Sequence, residues 1–249
     1  MKGMALMLTP EEKQSYDENG FILKKALASP AEVEKIREDI EDIHNRMAEQ
    51  PVEGVGPSWE EFDDPNLPPR LKQLMHSELI SPTLNKILRS DTMLDIIEQM
   101  IGPDVSLYHS KLLPKDAKDG TAIPWHQDYA YWNRDDNRPL MVNCQLAIDA
   151  TTQENGCIQF VPGSHKWGLQ EHQRRQQTFG VFLPGHYHER EDAVQVEMEP
   201  GDGVFFNALI IHGSAANTSN LPRRMNTFAY NVTGNGLMQC RQALRGKPL

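Results

Sequence analysis

From Pro103 onward the chain breaks into short runs of β-type residues separated by Gly, Pro and Asn, and no other feature narrows its possible folds as much. The runs are VSLYHSKLL, TAIPWHQD, LMVNCQLAI, CIQFVPG, AVQVEMEPGDGVFFN, ALIIHG and MNTFAYNV. Many short strands at near-regular spacing pack as a sandwich or barrel. Pro200-Gly201-Asp202-Gly203 puts Pro and then Gly in the middle of a tight turn, and Asp202 reads as a turn residue.

The first hundred residues read mostly as helix. Thr9-Pro10-Glu11-Glu12 has Pro at a first helical position, and Ser29-Pro30-Ala31-Glu32 has the form of a capping box. Behind the second, Val33, Ile36, Ile40 and Ile43 recur every three or four residues and share one helical face. Phe21-Ile22-Leu23 is a short extended run after Gly20, and Pro51 to Pro69 reads as a surface loop. A further helix starts near Ser90-Asp91, buries Met93, Leu94, Ile97, Met100 and Ile101, and stops at Gly102-Pro103. The expected architecture is mainly β with added α-helices, one domain over residues 1–249. Its helical part covers about 9–102 and its β core about 103–233. The polar stretch from Lys166 to Asp192, with Arg174, Arg175 and three histidines, has the character of a lid or binding loop.

Charge excludes some partners. The chain has 35 acidic against 25 basic residues, a formal net charge of −10, with no basic stripe to offset it. Phosphate backbones and anionic membranes are therefore repelled, and the expectation is no nucleic acid and no membrane. The longest apolar runs are too short to span a bilayer, and the first twenty residues lack the apolar core of a signal peptide. Three widely spaced cysteines, Cys144, Cys157 and Cys240, exclude a fully paired disulfide framework and fit buried thiols in a reducing cytoplasm.

His126-Gln127-Asp128 is the first candidate for chemistry. In an extended strand, residues two apart project to the same side, so an imidazole and a carboxylate there can share one metal. Two His and one carboxylate on one face of an octahedron leave the other face open, as iron(II) oxygen chemistry requires. Such a tripeptide also arises by chance. The second candidate, His212, ends the apolar run Ala208–Ile211 and is followed by Arg223-Arg224 at the next strand. An antiparallel return would bring that arginine beside the histidine. A metal with a fixed guanidinium nearby suits a cosubstrate with a carboxylate at each end, namely 2-oxoglutarate.

Four blocks then carry a resemblance: WHQD at 125–128, NGCIQFVPGSHKWG at 155–168, EPGDGVFF at 199–206 and IIHGSAANTSNLPRR from 210 to 224. In their order and spacing they resemble the phytanoyl-CoA dioxygenase family. The resemblance implies a double-stranded β-helix (jelly-roll) core with N-terminal helices packed on it. It also implies a dioxygenase that uses Fe(II), 2-oxoglutarate and O2. By position His126, Asp128 and His212 are the implied iron ligands, Arg223 the partner of the far carboxylate and Ser214 its assisting hydroxyl. Gln127, Lys111 and Gln145 fall at cosubstrate-pocket positions, although Gln145 stands where some relatives have tryptophan. Halogenating relatives lack the carboxylate, so Asp128 points to hydroxylation or another oxidation and not to halogenation.

The substrate side is less defined. His109 alternates with Lys111 on one strand face, as Asn143 does with Gln145 and Ala147; those faces either orient a substrate or are solvated. Trp125, Tyr129, Tyr131 and Trp132 either wall the substrate site or pack in the core. Gly185-His186-Tyr187-His188 has metal-like spacing but no strand framing, and His165 reads as fixing a turn or lining the rim. The expected reaction is hydroxylation of an unactivated C–H in a small metabolite or natural product. The alternatives are desaturation, epimerisation or cyclisation at the same site, or a jelly-roll module that only binds small molecules.

Overall fold

Both capping sequences start helices. Thr9 caps α1 (Pro10–Asn19) and Ser29 caps α2 (Pro30–Asp39), and in each box the glutamate three residues on accepts the cap's own N–H. Strand β1 (Phe21–Lys24) lies between them. The computed structural model describes residues 8–60, 70–133, 137–174, 180–184, 190–236 and 242–248.

The apolar face through Val33, Ile36, Ile40 and Ile43 is buried, but it belongs to two helices. The first ends at Asp39, and α3 (Ile43–Glu49) begins after Asp42 adopts a left-handed conformation with φ 55°. Inside the stretch read as loop, β2 (Gly56–Trp59) pairs with β3 (Leu71–Met75). As the last strand of its sheet β2 tolerates Pro57, whose missing N–H interrupts no ladder on the open side. Ser81 caps an unanticipated α4 (Pro82–Leu88), and Ser90 caps α5 (Asp91–Ile101), where Ile96 is fully buried in place of Met100 and Ile101.

The β runs become β4 (Val105–Lys115), β5 (Ile123–His126), β6 (Met141–Ala147), β7 (Ile158–Phe160), β8 (Gln173–Arg174), β9 (Val181–Phe182), β10 (Val194–Val196), β11 (Gly203–Asn207), β12 (His212–Ser214), β13 (Arg223–Val232) and β14 (Gln242–Ala243). A one-turn helix α6 (Tyr129–Trp132) follows β5. Eight strands form a larger sheet ordered β1-β11-β6-β13-β4-β3-β2, with β14 on β4, and four form a smaller one ordered β10-β7-β12-β5. All their pairings are antiparallel. The architecture is a double-stranded β-helix with helices on the outside of the larger sheet. One apolar run misleads: Ala208–Ile211 is a turn that carries the chain from β11 in one sheet to β12 in the other, and it is apolar because three of its four residues are buried.

Period-two alternation decides which side chains face the site. In β6, Val142, Cys144 and Leu146 pack in the same core as Ile36, Leu84, Leu88, Met93 and Ile97 of the helices. Each such fully buried aliphatic side chain contributes about 1.5–3 kcal/mol relative to exposure. Asn143, Gln145 and Ala147 point the other way, between the sheets. The 200–203 turn locks the N-terminal segment to this frame. Gly201 has φ +92°, and an added Cβ there would lie 2.4 Å from the Ala28 carbonyl oxygen. Asp202 accepts from Ala26 N and ion-pairs with Lys25 at 2.7 Å. No described helix is long and apolar enough to cross a membrane. Cys144 and Cys157 are buried free thiols; Cys240 lies outside the described residues.

Candidate metal centre

His126 is the last residue of β5, but Asp128 is not in the strand. Its backbone is helical (φ −59°, ψ −33°) and it opens α6, so a strand end and a helical turn together bring the two side chains round. In the smaller sheet β12 pairs with β5 and sets His212 directly opposite His126. The close approach depends on Gly213, where a Cβ would come within 3.0 Å of Ile123 O. His126 Nε2 lies 3.6 Å from Asp128 Oδ1, and His212 Nε2 lies 3.7 Å from Asp128 Oδ2. One ligand atom from each residue falls within 4.8 Å of the others, and all three side chains are buried. Among the described residues no other group of three His, Cys, Asp or Glu converges in this way.

Hydrogen bonds behind the cluster suit it to a cation. His126 Nδ1–H donates to Pro124 O at 2.8 Å and His212 Nδ1–H to Ile210 O at 3.1 Å, which leaves both Nε2 lone pairs turned toward Asp128. Burial, with His126 beside it, holds His212 neutral by lowering it to about 3. Burial alone would raise Asp128, but Lys111, His212 and His126 outweigh it and keep the carboxyl well below its usual range. A divalent ion needs this pairing of a neutral imidazole with an ionised carboxylate.

Asn143 Nδ2 donates to Asp128 Oδ2 at 2.8 Å and so turns the carboxylate toward the imidazoles. The sequence reading put Asn143 on the substrate; the structure places it behind Asp128, away from the cavity wall. Partners of this kind typically carry 10- to 100-fold in metal affinity. The Asn143→Leu variant is expected to weaken iron(II) binding by about that factor, measured by chelator competition, with an unchanged circular dichroism spectrum.

The cluster opens on a cavity of about 580 Å³ between the sheets. Its lining includes Arg223 and Ser214 together with Trp59, Tyr108, His109, Tyr131 and Trp132. Arg223 does not reach this place by folding back beside His212. It begins β13 in the larger sheet and faces β12 across the sandwich, because the chain changes sheet between Ser214 and Arg223. The residue is 1% exposed, and its guanidinium donates from Nη1 to Leu113 O at 3.3 Å and has no partner at Nε. Burial lowers it to about 10.

Lys115 stands opposite Arg223 in the β4–β13 register, is 3% exposed, and donates to Ser214 Oγ at 2.8 Å and to Ala215 O. Burial, then Arg223, pull it down to about 6. The sequence reading did not select Lys115, although period two from His109 and Lys111 puts it on the same strand face. Neither cation forms an ion pair with a described carboxylate, an arrangement suited to the charged end of a dicarboxylate.

Other predicted residues divide. Lys111, Gln145, His109 and Trp132 line the cavity. Lys111 Nζ lies 3.8 Å from Asp128 Oδ1, and Gln145 Nε2 donates to Thr227 Oγ1 at 3.1 Å. Burial, then Lys111, lower His109 to about 3, and its Nε2 has no partner. Gln127 does not line the cavity. Between His126 and Asp128, whose side chains both face inward, its amide turns away, donating to Gly168 O and Leu209 O and accepting from Gln170 N. Its own N–H donates to His172 Nε2 at 3.0 Å. Tyr129 is also off the cavity, with its hydroxyl donating to Asn137 O. Trp125 packs with Val161, Leu183 and Ile211, whereas Tyr131 lines the site.

His165 is not among the residues that line the cavity and packs against Gly20, where an added Cβ would meet its Nδ1 at 2.5 Å. Of the 166–192 stretch, Val181 and Leu183 are bound to the segment around His126 and Asp128. Tyr131 OH accepts from Val181 N at 3.1 Å, and Leu183 N donates to Trp125 O at 2.8 Å. Arg175 and the Gly185–His188 sequence lie outside the described residues.

Comparison with known proteins agrees with this geometry. The family model for phytanoyl-CoA dioxygenase (PhyH) matches residues 16–225. A probable phytanoyl-CoA dioxygenase from Caenorhabditis elegans is 28% identical over 228 residues, 85% of this chain and 71% of its own. An ectoine dioxygenase from Bordetella parapertussis is 25% identical over 256 residues, 97% of this chain and 81% of its own. Among solved structures, EctD from S. alaskensis with 2-oxoglutarate and 5-hydroxyectoine aligns with a TM-score of 0.76 over 100% of this chain and 88% of its own, at 21% identity. The chain thus belongs to the phytanoyl-CoA dioxygenase family, and it is a dioxygenase dependent on non-haem iron and 2-oxoglutarate.

Proposed function

We propose that the enzyme hydroxylates an unactivated C–H bond of a small metabolite or natural product, with release of succinate and CO2, and that His126, Asp128 and His212 hold the iron(II). The observation that carries this reading is the meeting of two buried imidazoles and one carboxylate at a cavity that also holds a buried guanidinium. Bound iron(II) supplies the oxygen chemistry that couples decarboxylation of 2-oxoglutarate to oxidation of the substrate.

The chain's own residues supply geometry and dryness. Arg223, Ser214 and Lys115 receive the far carboxylate of 2-oxoglutarate, and an arriving anion favours the protonated form of Lys115. Lys111 and Gln145 line the same cavity. Asn143 keeps Asp128 aligned, and Gln127 ties the metal segment to the 168–172 loop, which helps to exclude water. Trp132, Tyr131 and His109 position the substrate. The cavity lies within the range of small-molecule sites and has to admit cosubstrate and substrate together, which supports a compact substrate over a whole CoA thioester. The similarity to an ectoine dioxygenase supports the same choice. Buried free thiols at Cys144 and Cys157 support a reducing, cytoplasmic setting.

Anaerobic addition of iron(II) and then 2-oxoglutarate is expected to give a weak visible charge-transfer band, and admitting oxygen a slow substrate-independent release of succinate. A colourless protein that releases no succinate would leave a binding module as the better reading.

A further inference from the structure

The protein is acidic overall, yet its cavity is not. Among the described residues the lining holds Lys72, Lys111 and Arg223 against one carboxylate, Asp128, in a chain of formal net charge −10. Iron(II) and the dianion of 2-oxoglutarate cancel each other. Asp128 then balances either Lys111 or Arg223, and one positive charge is left over, to which a protonated Lys115 beside Arg223 adds another. An unbalanced charge in a largely buried site is unfavourable.

Lys111 is where the imbalance falls. Its side chain is 18% exposed, and its Nζ lies 3.8 Å from Asp128 Oδ1, beyond hydrogen-bond range. A cation bound by Asp128 takes up most of that carboxylate's charge, and the ammonium then faces a positive centre. Arg223 has the far carboxylate of the cosubstrate to pair with, whereas Lys111 needs an anion from elsewhere. The same cavity is lined by four aromatic side chains, Trp59, Tyr108, Tyr131 and Trp132.

We infer that the substrate is a small monoanion, a carboxylic acid with an apolar body, whose carboxylate pairs with Lys111 while the aromatic wall takes the rest. The inference rests on the iron and 2-oxoglutarate reading above.

The test titrates protein loaded anaerobically with iron(II) and 2-oxoglutarate, following intrinsic fluorescence, since Trp59 and Trp132 line the cavity. The probes are matched pairs of acid and primary amide: 3-phenylpropionate, octanoate and N-acetylleucine with their carboxamides. The visible band is read first, and its absence overturns the parent reading and this inference together. With the band present, acids are expected to bind about 10- to 100-fold tighter than their amides, the range of a charge-assisted hydrogen bond. Lys111→Met should erase the preference and Lys111→Arg should keep most of it.

Amides that bind as well as acids, or no binding by any acid, overturn the inference and leave the parent reading standing. A Lys111→Met variant that keeps the acid preference but loses affinity for 2-oxoglutarate assigns Lys111 to the cosubstrate and overturns it equally. The acid-to-amide comparison in the unmodified protein stands even if a variant fails to fold.

Discussion

Asp128→Ala is expected to abolish iron(II) retention and, with it, all succinate formation. Asp128 is the one carboxylate in the cluster, and it faces both Nε2 atoms from a single buried position. Removing it leaves two imidazoles and, close by, the Lys111 ammonium, which repels a divalent cation once the carboxylate is gone. Loss of a partner that merely orients a ligand costs 10- to 100-fold in affinity, so loss of the ligand itself should exceed about 100-fold. Metal content after gel filtration and the anaerobic band with 2-oxoglutarate measure this directly. An Asp128→Ala protein that kept the band and released succinate would remove the basis of the metal assignment.

The second large effect has two signs. Arg223→Met is expected to raise the 2-oxoglutarate concentration needed for half-saturation by at least about 30-fold, because truncating one partner of a buried charged pair costs 2–5 kcal/mol or more. In the cosubstrate-free protein the same guanidinium is a buried cation with one long hydrogen bond and no ion-pair partner among the described residues. Replacing it by an apolar side chain of similar length removes that desolvation penalty, so the free variant should melt no lower than the unmodified protein, or higher. Thermal unfolding with and without 2-oxoglutarate separates the effects: unmodified protein gains stability from the cosubstrate and the variant does not. A variant with a lower melting point and unchanged half-saturation would show that Arg223 serves the fold.

Much of the site was legible because strand alternation is local. His109 and Lys111 on β4, and Gln145 on β6, reach the cavity as period two predicts, and the same rule would have found Lys115. It also explains why Gln127 was misplaced. A residue between His126 and Asp128, which both face inward, turns outward, and its amide holds loop carbonyls. Tyr129 and Asn143 were misassigned for a different reason. Each is near the metal motif, but whether a side chain reaches the cavity or stops one layer behind it depends on what fills the space between. Asn143 stops at Asp128, and Tyr129 stops at Asn137 O.

Sequence alone determined the features set by contacts within a few residues. These are the caps at Thr9, Ser29 and Ser90, the turn at 200–203, the alternation of β4 and β6, and the supply of two histidines, one carboxylate and one arginine in family order. Only the tertiary structure decided which sheet each strand joins. It put β12 beside β5 so that His212 faces His126, sent β13 to the opposite sheet so that Arg223 faces them across the sandwich, and recruited β2 and β3 to line the cavity. Turn chemistry and side-chain period act over three or four residues. Strand partnership is settled by which apolar faces are buried together, and that depends on residues a hundred positions apart.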